Sequence, residues 1–177
     1  DGAKWIYKGI KNALSEKAMI QGCQSSKREN ILKYLDKSHQ SNFRRKLQSA
    51  YEQPTYEAAK KKPNLIKREL AILNQSAVRS LEEVMEEILT LHHLGMFPKL
   101  GVSFKTTKCI KNIMRQVGIY TERVSYWKNS DQRQRWVGMA LQEIETKLSA
   151  VSGYRHLREL REAMKDLNFK ENIIKVG

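Results

Sequence analysis

Apolar residues recur at intervals of three and four along most of this chain, and that spacing restricts it to a largely helical fold. The spacing is already present at Trp5, Ile6, Ile10 and Leu14, and it returns in the later segments. Residues spaced in this way lie on one face of an α-helix. The one different pattern is a short apolar run at residues 18–20, which is suited to a buried strand. The sequence therefore predicts a mostly α-helical chain with one or two short strands.

The first half of the chain is predicted to contain several separate helices. The predicted helices there cover residues 3–14, 27–34, 38–51 and 55–73. The last of them is predicted to break at Pro63, because proline removes an amide hydrogen and clashes with the preceding turn. A further helix is predicted from near Ser76 to Gly95, where glycine ends it.

The second half of the chain is divided in the same way. Gly101 predicts a loop, and the helix that follows it is predicted to end at Gly118. Asp131 is well placed near the start of a long helix that ends before Gly153. Trp136 falls on the apolar face of that helix and is predicted to lie in the core, and a base-stacking platform is the alternative. A final amphipathic helix is predicted over residues 157–167.

The charge of the chain predicts a polyanionic partner. Its formal net charge is +14, from 33 Lys and Arg against 19 Asp and Glu. Residues 1–73 carry 16 basic and 7 acidic side chains, whereas residues 74–177 carry 17 and 12, so the excess is larger in the first part (+9 against +5). Nucleic acid is the commonest partner of such a surface. The alternative interpretation is a lysine-rich surface that merely keeps the protein soluble.

Short basic clusters provide the candidate phosphate-binding residues. Contacts from such side chains to DNA phosphates are sensitive to salt and largely independent of base sequence. The predicted DNA-binding residues are Arg44, Arg45, Lys46, Lys60, Lys61, Lys62, Lys105, Arg133 and Arg135.

Cysteine usage and hydropathy predict a cytoplasmic protein. Cys23 and Cys109 are the only cysteines, too few for a disulfide scaffold. No apolar run approaches the roughly 20 residues needed to span a bilayer, so no membrane contact is expected. The chain opens at Asp1 without a methionine, which predicts a fragment of a longer protein.

Three blocks of sequence occur in an order that is typical of one protein family. The first is the stretch at residues 103–111, which contains Thr106-Thr107 and ends at Lys111. The second runs from Trp127 to Trp136, and the third is Gly153-Tyr154-Arg155-His156-Leu157. Together they resemble the C-terminal portion of Mutator-family bacterial insertion-sequence transposases, which are DDE-type enzymes.

The resemblance implies a fold and a domain organisation. It implies the C-terminal part of a ribonuclease-H-like catalytic domain with an α-helical insertion. Residues 1–26 would be the end of the ribonuclease-H-like core, and residues 27–102 would be the helical insertion. Residues 103–170 would hold the final catalytic-type helix and the C-terminal helices, and residues 171–177 would be a tail.

The resemblance also implies a metal site, from which this chain departs. Such transposases use two Asp and one Glu to hold two Mg²⁺ ions at the scissile phosphodiester. Asp1, followed by Gly2, matches the second Asp and would be both a catalytic and a metal-binding residue, although Asp also favours a helix N-cap on its own account. Lys111 occupies the position of the catalytic Glu, and the first Asp would lie upstream of this chain. An ammonium in place of a carboxylate repels a dication, so Mg²⁺ is not expected to bind productively here.

These observations predict a protein of DNA transposition. The parent family cleaves transposon ends and transfers them to target DNA, and this chain is predicted to be a truncated copy that is inactive alone. The alternative is a non-enzymatic, repressor-like helical module that binds nucleic acid. The resemblance implies that the partners are transposon ends and target DNA, together with a homo-oligomer or an active transposase. It also implies a bacterial protein that is associated with the nucleoid.

Overall fold

The computed structural model describes residues 4–15, 18–83 and 85–174, with side chains described as far as residue 167. The chain divides into two compact units. One comprises Asp1–Thr106 with Gly153–Gly177, and the other comprises Thr107–Ser152. Within the described ranges there is no β-strand, so the fold is purely helical. The prediction of a strand that belongs to a ribonuclease-H-like sheet is therefore wrong.

Nine α-helices and one short 3-10 helix are described in the first unit. The α-helices are α1 (Lys4–Leu14), α2 (Gln24–Leu32), α3 (Lys37–Tyr51), α4 (Tyr56–Leu73), α5 (Gln75–Glu82), α6 (Met85–Ile88), α7 (Thr90–His93), α8 (Phe97–Phe104) and α11 (Leu157–Ile174). The 3-10 helix is η1 (Tyr154–His156). The second unit contains α9 (Lys108–Thr121) and α10 (Ser130–Glu145).

The main core of the first unit is formed by α2 to α5. Its fully buried side chains include Ile31 on α2, Leu47 on α3, Leu70 on α4 and Leu81 on α5. Each lies on the apolar face that the three-and-four spacing predicts. For the same reason, the predicted bounds of α3 differ from the observed ones by one residue. A second, smaller cluster joins Leu91 and Met96 to α8 and to α11 through Leu160 and Ala163.

The segment predicted as a strand belongs to no helix or strand, and hydrogen bonds join its end and the two following residues to α6 and α7. The amide of Gly22 donates to the Glu87 carbonyl (2.8 Å), and the Thr90 hydroxyl donates to the Ile20 carbonyl (2.7 Å). The Gln21 side chain donates to the Ile88 carbonyl (2.8 Å) and accepts from the Leu91 amide (2.8 Å). A buried backbone must satisfy its polar groups, and this segment does so without a neighbouring strand.

Helix α4 runs through the predicted break at Pro63. Pro63 is fully buried, as is Ala59 one turn earlier. A proline inside a helix costs about 3 kcal/mol because one hydrogen bond is lost. Burial of Ala59, Pro63, Ile66 and Leu70 along the same face offsets that cost, so the helix continues.

The single helix predicted from Ser76 to Gly95 is instead divided into α5, α6 and α7. Helix α5 starts after Asn74, whose side chain accepts hydrogen bonds from the amides of Ser76 and Ala77. Gly95 ends α7 as predicted, in a left-handed conformation (φ 67°). The amides of Gly95 and Met96 donate to the carbonyls of His92 and Leu91, which is a Schellman motif.

Three other predicted boundaries are also wrong. Gly101, where a loop was predicted, lies within helix α8 and is buried. A β-carbon added at this glycine would make a tight contact with the Phe97 ring. Helix α9 does not end at Gly118 and continues to Thr121. Helix α11 continues to Ile174 and so extends into the predicted tail.

The second unit is an α9–α10 helix pair with a small core. Its buried residues are Val117, Ala140 and Ile144, with Ile113 and Val137 packed against them. Asn129 caps α10 by accepting a hydrogen bond from the Gln132 amide at 2.8 Å. Trp136 was expected in this core and instead is 43% exposed.

Candidate nucleic-acid interface

A groove on the first unit runs between α3 and α4. Its volume is about 540 Å³, and it is open to solvent. The lining residues are Asn42, Arg45, Lys46, Ser49, Lys62, Leu65, Ile66 and Glu69. On each helix they recur at i, i+3, i+4 and i+7, which places them along one stripe beside the buried face.

Two cations in this groove have no carboxylate partner among the described residues. Arg45 is exposed and unpaired there. Lys62 is exposed and has only a 3.5 Å contact to the Ser49 hydroxyl. The third groove cation, Lys46, forms an ion pair with Glu69, the one carboxylate in the lining. The groove therefore holds three cations against one anion and presents two of the cations to a ligand.

Other residues of the predicted DNA-binding set are neutralised within the protein. Arg44 donates through Nε and Nη2 to the two carboxylate oxygens of Glu29, at 3.2 and 2.8 Å. This hydrogen bonding, together with that from Arg28, lowers the pKa of Glu29. Lys105 pairs with Glu52 at 2.8 Å and lowers the pKa of that carboxyl.

Lys60 belongs to a similar network at the start of α4. Its ammonium lies 2.7 Å from Glu86 and donates to the Tyr56 hydroxyl at 3.0 Å. The hydrogen bond from Lys60 is the main reason that the pKa of Glu86 is lowered. Lys61, by contrast, is exposed with no partner in the described part of the chain, but it does not line the groove. The basic cluster 60–62 thus separates into one paired and two unpaired lysines.

The four carboxylates that neutralise these cations were not identified from sequence. Glu29 and Arg44 are 15 residues apart, Lys46 and Glu69 are 23 apart, and Glu52 and Lys105 are 53 apart. No local spacing rule connects residues at such separations. A count of nearby charges was the one available signal, and it treats every basic residue alike.

The predicted carboxylate site is only partly described. Asp1 lies outside the described residues. Lys111 is exposed on the second turn of α9, where its amide donates to the Thr107 carbonyl at 2.9 Å. Lys108 and Arg115 lie one turn before and after it, and they are also exposed. Helix α9 contains no Asp or Glu.

This donor set does not fit Mg²⁺. A magnesium ion requires oxygen ligands, usually carboxylates, and every charged side chain of α9 is a cation. In the ranges 4–15, 18–83 and 85–174, no group of three or more His, Cys, Asp or Glu side chains could hold a metal ion. No chemical step is therefore assigned to a metal at this helix.

The remaining predicted residues, Arg133 and Arg135, are exposed on the first two turns of α10. The Arg133 guanidinium lies over the Trp127 ring, 5.9 Å from its centroid. Trp127 and Trp136 form an edge-to-face pair with centroids 6.2 Å apart. Arg135 has no ion-pair partner among the described residues. These basic residues belong to the second unit, whereas the groove belongs to the first.

None of the helices that the structure describes combines the length and the apolarity that crossing a bilayer requires. Comparison with known proteins adds one finding. A family model described as "Transposase, Mutator family" matches residues 1–150 of the 177. No curated protein and no solved structure gives a significant match. The matched region contains the α3–α4 groove, α9 and the first two of the three sequence blocks, and the chain belongs to the Mutator family of transposases.

Proposed function

We propose that this chain acts in DNA transposition as a DNA-binding part of a transposase, and that the α3–α4 groove holds the DNA backbone. The observation that carries the proposal is the state of two side chains in that groove. Arg45 and Lys62 are exposed and have no carboxylate partner among the described residues, while Arg44, Lys46 and Lys60 beside them are neutralised. Family membership supports DNA, rather than another polyanion, as the ligand.

The chemistry of the groove suits phosphate binding. A guanidinium and an ammonium can each replace a counterion on a phosphate, which gives binding that weakens steeply with salt. Asn42 and Ser49 in the same lining can donate hydrogen bonds to phosphate oxygens. Contacts of this kind position a protein on DNA and do not read base sequence.

We further propose that α9 does not supply a catalytic carboxylate. The family pattern that residues 103–111 resemble has Glu at the position of Lys111. The proposal is supported by the basic side chains at Lys108, Lys111 and Arg115 and by the absence of Asp and Glu in α9. A lysine at this position would repel the divalent cations that the family's reaction requires.

The DNA-binding proposal is tested by measuring affinity for a 30-base-pair duplex over a range of salt concentrations. Each lost phosphate contact reduces the slope of log K against log salt by about 0.9. We therefore expect Arg45→Ala with Lys62→Ala to reduce the slope by about two. The control removes the same charge elsewhere: Arg79→Ala with Arg68→Ala, at exposed arginines outside the groove lining. Equal slopes for the two double variants would contradict the assignment of the groove.

The basic surface of α9 favours a second candidate, a non-enzymatic module that occupies transposon ends without cutting them. A repressor-like module of this kind would bind DNA and leave it intact with Mg²⁺ or Mn²⁺ present. An active transposase would instead produce metal-dependent nicks at a terminal repeat. The two candidates are separated by incubating the purified chain with labelled duplex and each metal, then resolving the strands on a denaturing gel.

A further inference from the structure

The second unit carries an aromatic pair that its own core does not use. The Trp127 and Trp136 rings meet at 78° with centroids 6.2 Å apart. The buried cluster of this unit is formed by Val117, Ala140 and Ile144, and neither tryptophan belongs to it. Trp136 is 43% exposed, and Tyr126, immediately before Trp127, is 77% exposed. Trp127 itself is half-buried, so both rings of the pair leave aromatic surface accessible to a ligand, as at a binding site.

The start of α10 holds the pair in place. Asn129 caps the helix through the Gln132 amide, and the Gln132 side chain accepts in return from the Lys128 amide at 2.8 Å. This reciprocal arrangement resembles a capping box and fixes the backbone next to Trp127. Trp136 is two turns into the same helix. The two rings are therefore positioned by one helix and its cap, rather than by a long loop.

The charges around the pair favour an anionic ligand. Lys128, Arg133 and Arg135 are exposed, and Asp131 is the one acidic residue in the first turn of α10. The guanidinium of Arg133 lies 5.9 Å from the centroid of the Trp127 ring. A cationic ligand, which aromatic pairs bind in other settings, would be repelled by three basic side chains. A planar ligand that carries a phosphate fits both the rings and the charges.

We propose that Trp127, Trp136 and Arg133 form a stacking site for an unpaired nucleobase of DNA. The base stacks on an indole ring, and Arg133 and Lys128 contact the phosphate that accompanies it. Base stacking on aromatic side chains with neighbouring cations is the usual mode of single-strand recognition, and it tolerates any base. The proposal rests on the proposed function in one respect, that the ligand is DNA, but it uses residues of the second unit alone.

The experiment compares two duplexes of equal length, one fully paired and one with a single bulged 2-aminopurine. We expect the chain to bind the bulged duplex more tightly and to quench the 2-aminopurine fluorescence, because the base stacks on indole. Trp127→Leu and Trp136→Leu should each reduce the preference for the bulge, on the order of tenfold. Affinity for the paired duplex should stay within about twofold. Trp127→Phe should keep most of the preference, since it keeps an aromatic ring.

Trp5→Leu is the matched control, because Trp5 is 78% exposed and belongs to the first unit. Circular dichroism of each variant establishes that the helices are retained. The proposal is overturned if the wild-type chain binds both duplexes equally, or if Trp127→Leu and Trp5→Leu affect the preference alike. It is also overturned if Trp127→Phe loses as much as Trp127→Leu.

Failure of the groove proposal gives a different result. Loss of the bulge preference with an intact effect of Arg45 and Lys62 on paired DNA contradicts the stacking site alone. A retained bulge preference with no effect of Arg45 and Lys62 contradicts the groove alone.

Discussion

A β-carbon built on Gly153 would overlap the carbonyl oxygen of Lys99, closer than non-bonded atoms approach. Gly153 also has a left-handed backbone (φ 83°), which costs a residue with a side chain about 1–2 kcal/mol. Helix α8 and the turn that precedes η1 and α11 therefore meet backbone to backbone at this glycine. The third of the sequence blocks begins at the same residue.

Gly153→Ala is expected to destabilise the first unit by more than backbone strain alone. Gly95 provides the matched control, because it has a similar φ of 67° but open space where its β-carbon would stand. We expect Gly95→Ala to lower the free energy of unfolding by about 1 kcal/mol. Gly153→Ala should cost at least about twice that in urea titrations followed by circular dichroism. Equal losses would mean that the Lys99 backbone moves away at little cost.

Stability should fall between pH 6.5 and pH 5 because of His92. Its ring is buried against Phe97, with centroids 3.8 Å apart, and neither ring nitrogen has a hydrogen-bond partner of good geometry, although the backbone of Tyr51 and Gln53 lies nearby. Burial lowers the pKa of His92 from 6.5. The unfolded chain therefore binds a proton that the folded chain resists, and stability is lost as pH falls through this window.

The measurement is the free energy of unfolding at pH 7.5 and pH 5.0 for the wild type and for His92→Phe. The variant keeps a ring against Phe97 and should show a smaller loss at pH 5.0. His39→Phe, at an exposed position on α3, should behave as the wild type. The lowered pKa values of Glu29, Glu52 and Glu86 act below their unfolded value of 4.5, outside this window. An unchanged pH dependence in His92→Phe would contradict the assignment.

Glu29→Gln is expected to strengthen DNA binding. The Glu29 carboxylate holds Arg44 through two hydrogen bonds, and its loss would leave that guanidinium available to a phosphate. One additional phosphate contact should increase the salt slope by about 0.9. Glu57→Gln makes the same change of charge at an exposed residue on α4 that has no partner among the described residues. A larger slope in both variants would indicate a general charge effect and not the release of Arg44.

Lys111→Glu should be tolerated without creating a metal site. A carboxylate there would lie one turn from both Lys108 and Arg115, and helical pairs of this kind contribute about 0.2–0.5 kcal/mol each. We expect an unchanged or slightly higher melting temperature. Calorimetric titration with Mg²⁺ and Mn²⁺ should show no binding at this helix, because all the other charged side chains on α9 are cations. Lys111→Gln is the neutral control, and metal binding to Lys111→Glu alone would contradict the prediction.

The helices that apolar spacing located well are those whose cores come from a continuous stripe. Helix α3 was predicted at 38–51 and lies at Lys37–Tyr51. Spacing failed where a distant contact decided the outcome. Burial of Pro63 keeps α4 intact, and Ile20 accepts a hydrogen bond from Thr90 on a helix instead of pairing with a strand. Neither contact leaves a trace in the local pattern.

The basic residues of the candidate groove could be predicted from the sequence, but the ones that lack a carboxylate partner could not. The charge clusters led to Arg44, Arg45, Lys46 and to the lysines at 60–62, and all are exposed or half-buried cations of α3 and α4. Which of them are free depends on carboxylates that only the fold brings close. The prediction that Trp136 lies in the core was wrong for a related reason. Trp136 shares the apolar spacing of α10, yet the small core of the second unit is completed by Val137, Ala140 and Ile144.

The hydrogen bonds of residues 20–24, at the start of α2, have a consequence for hydrogen exchange. The amides of Gly22 and Gln24 donate to the carbonyls of Glu87 and Lys105, and the Gln21 side chain bonds to Ile88 across 67 positions of sequence. These amide protons can be released only when α6 and α8 separate from the segment. We therefore expect Gly22, which belongs to no helix, to be protected from deuterium for as long as the interior helices are.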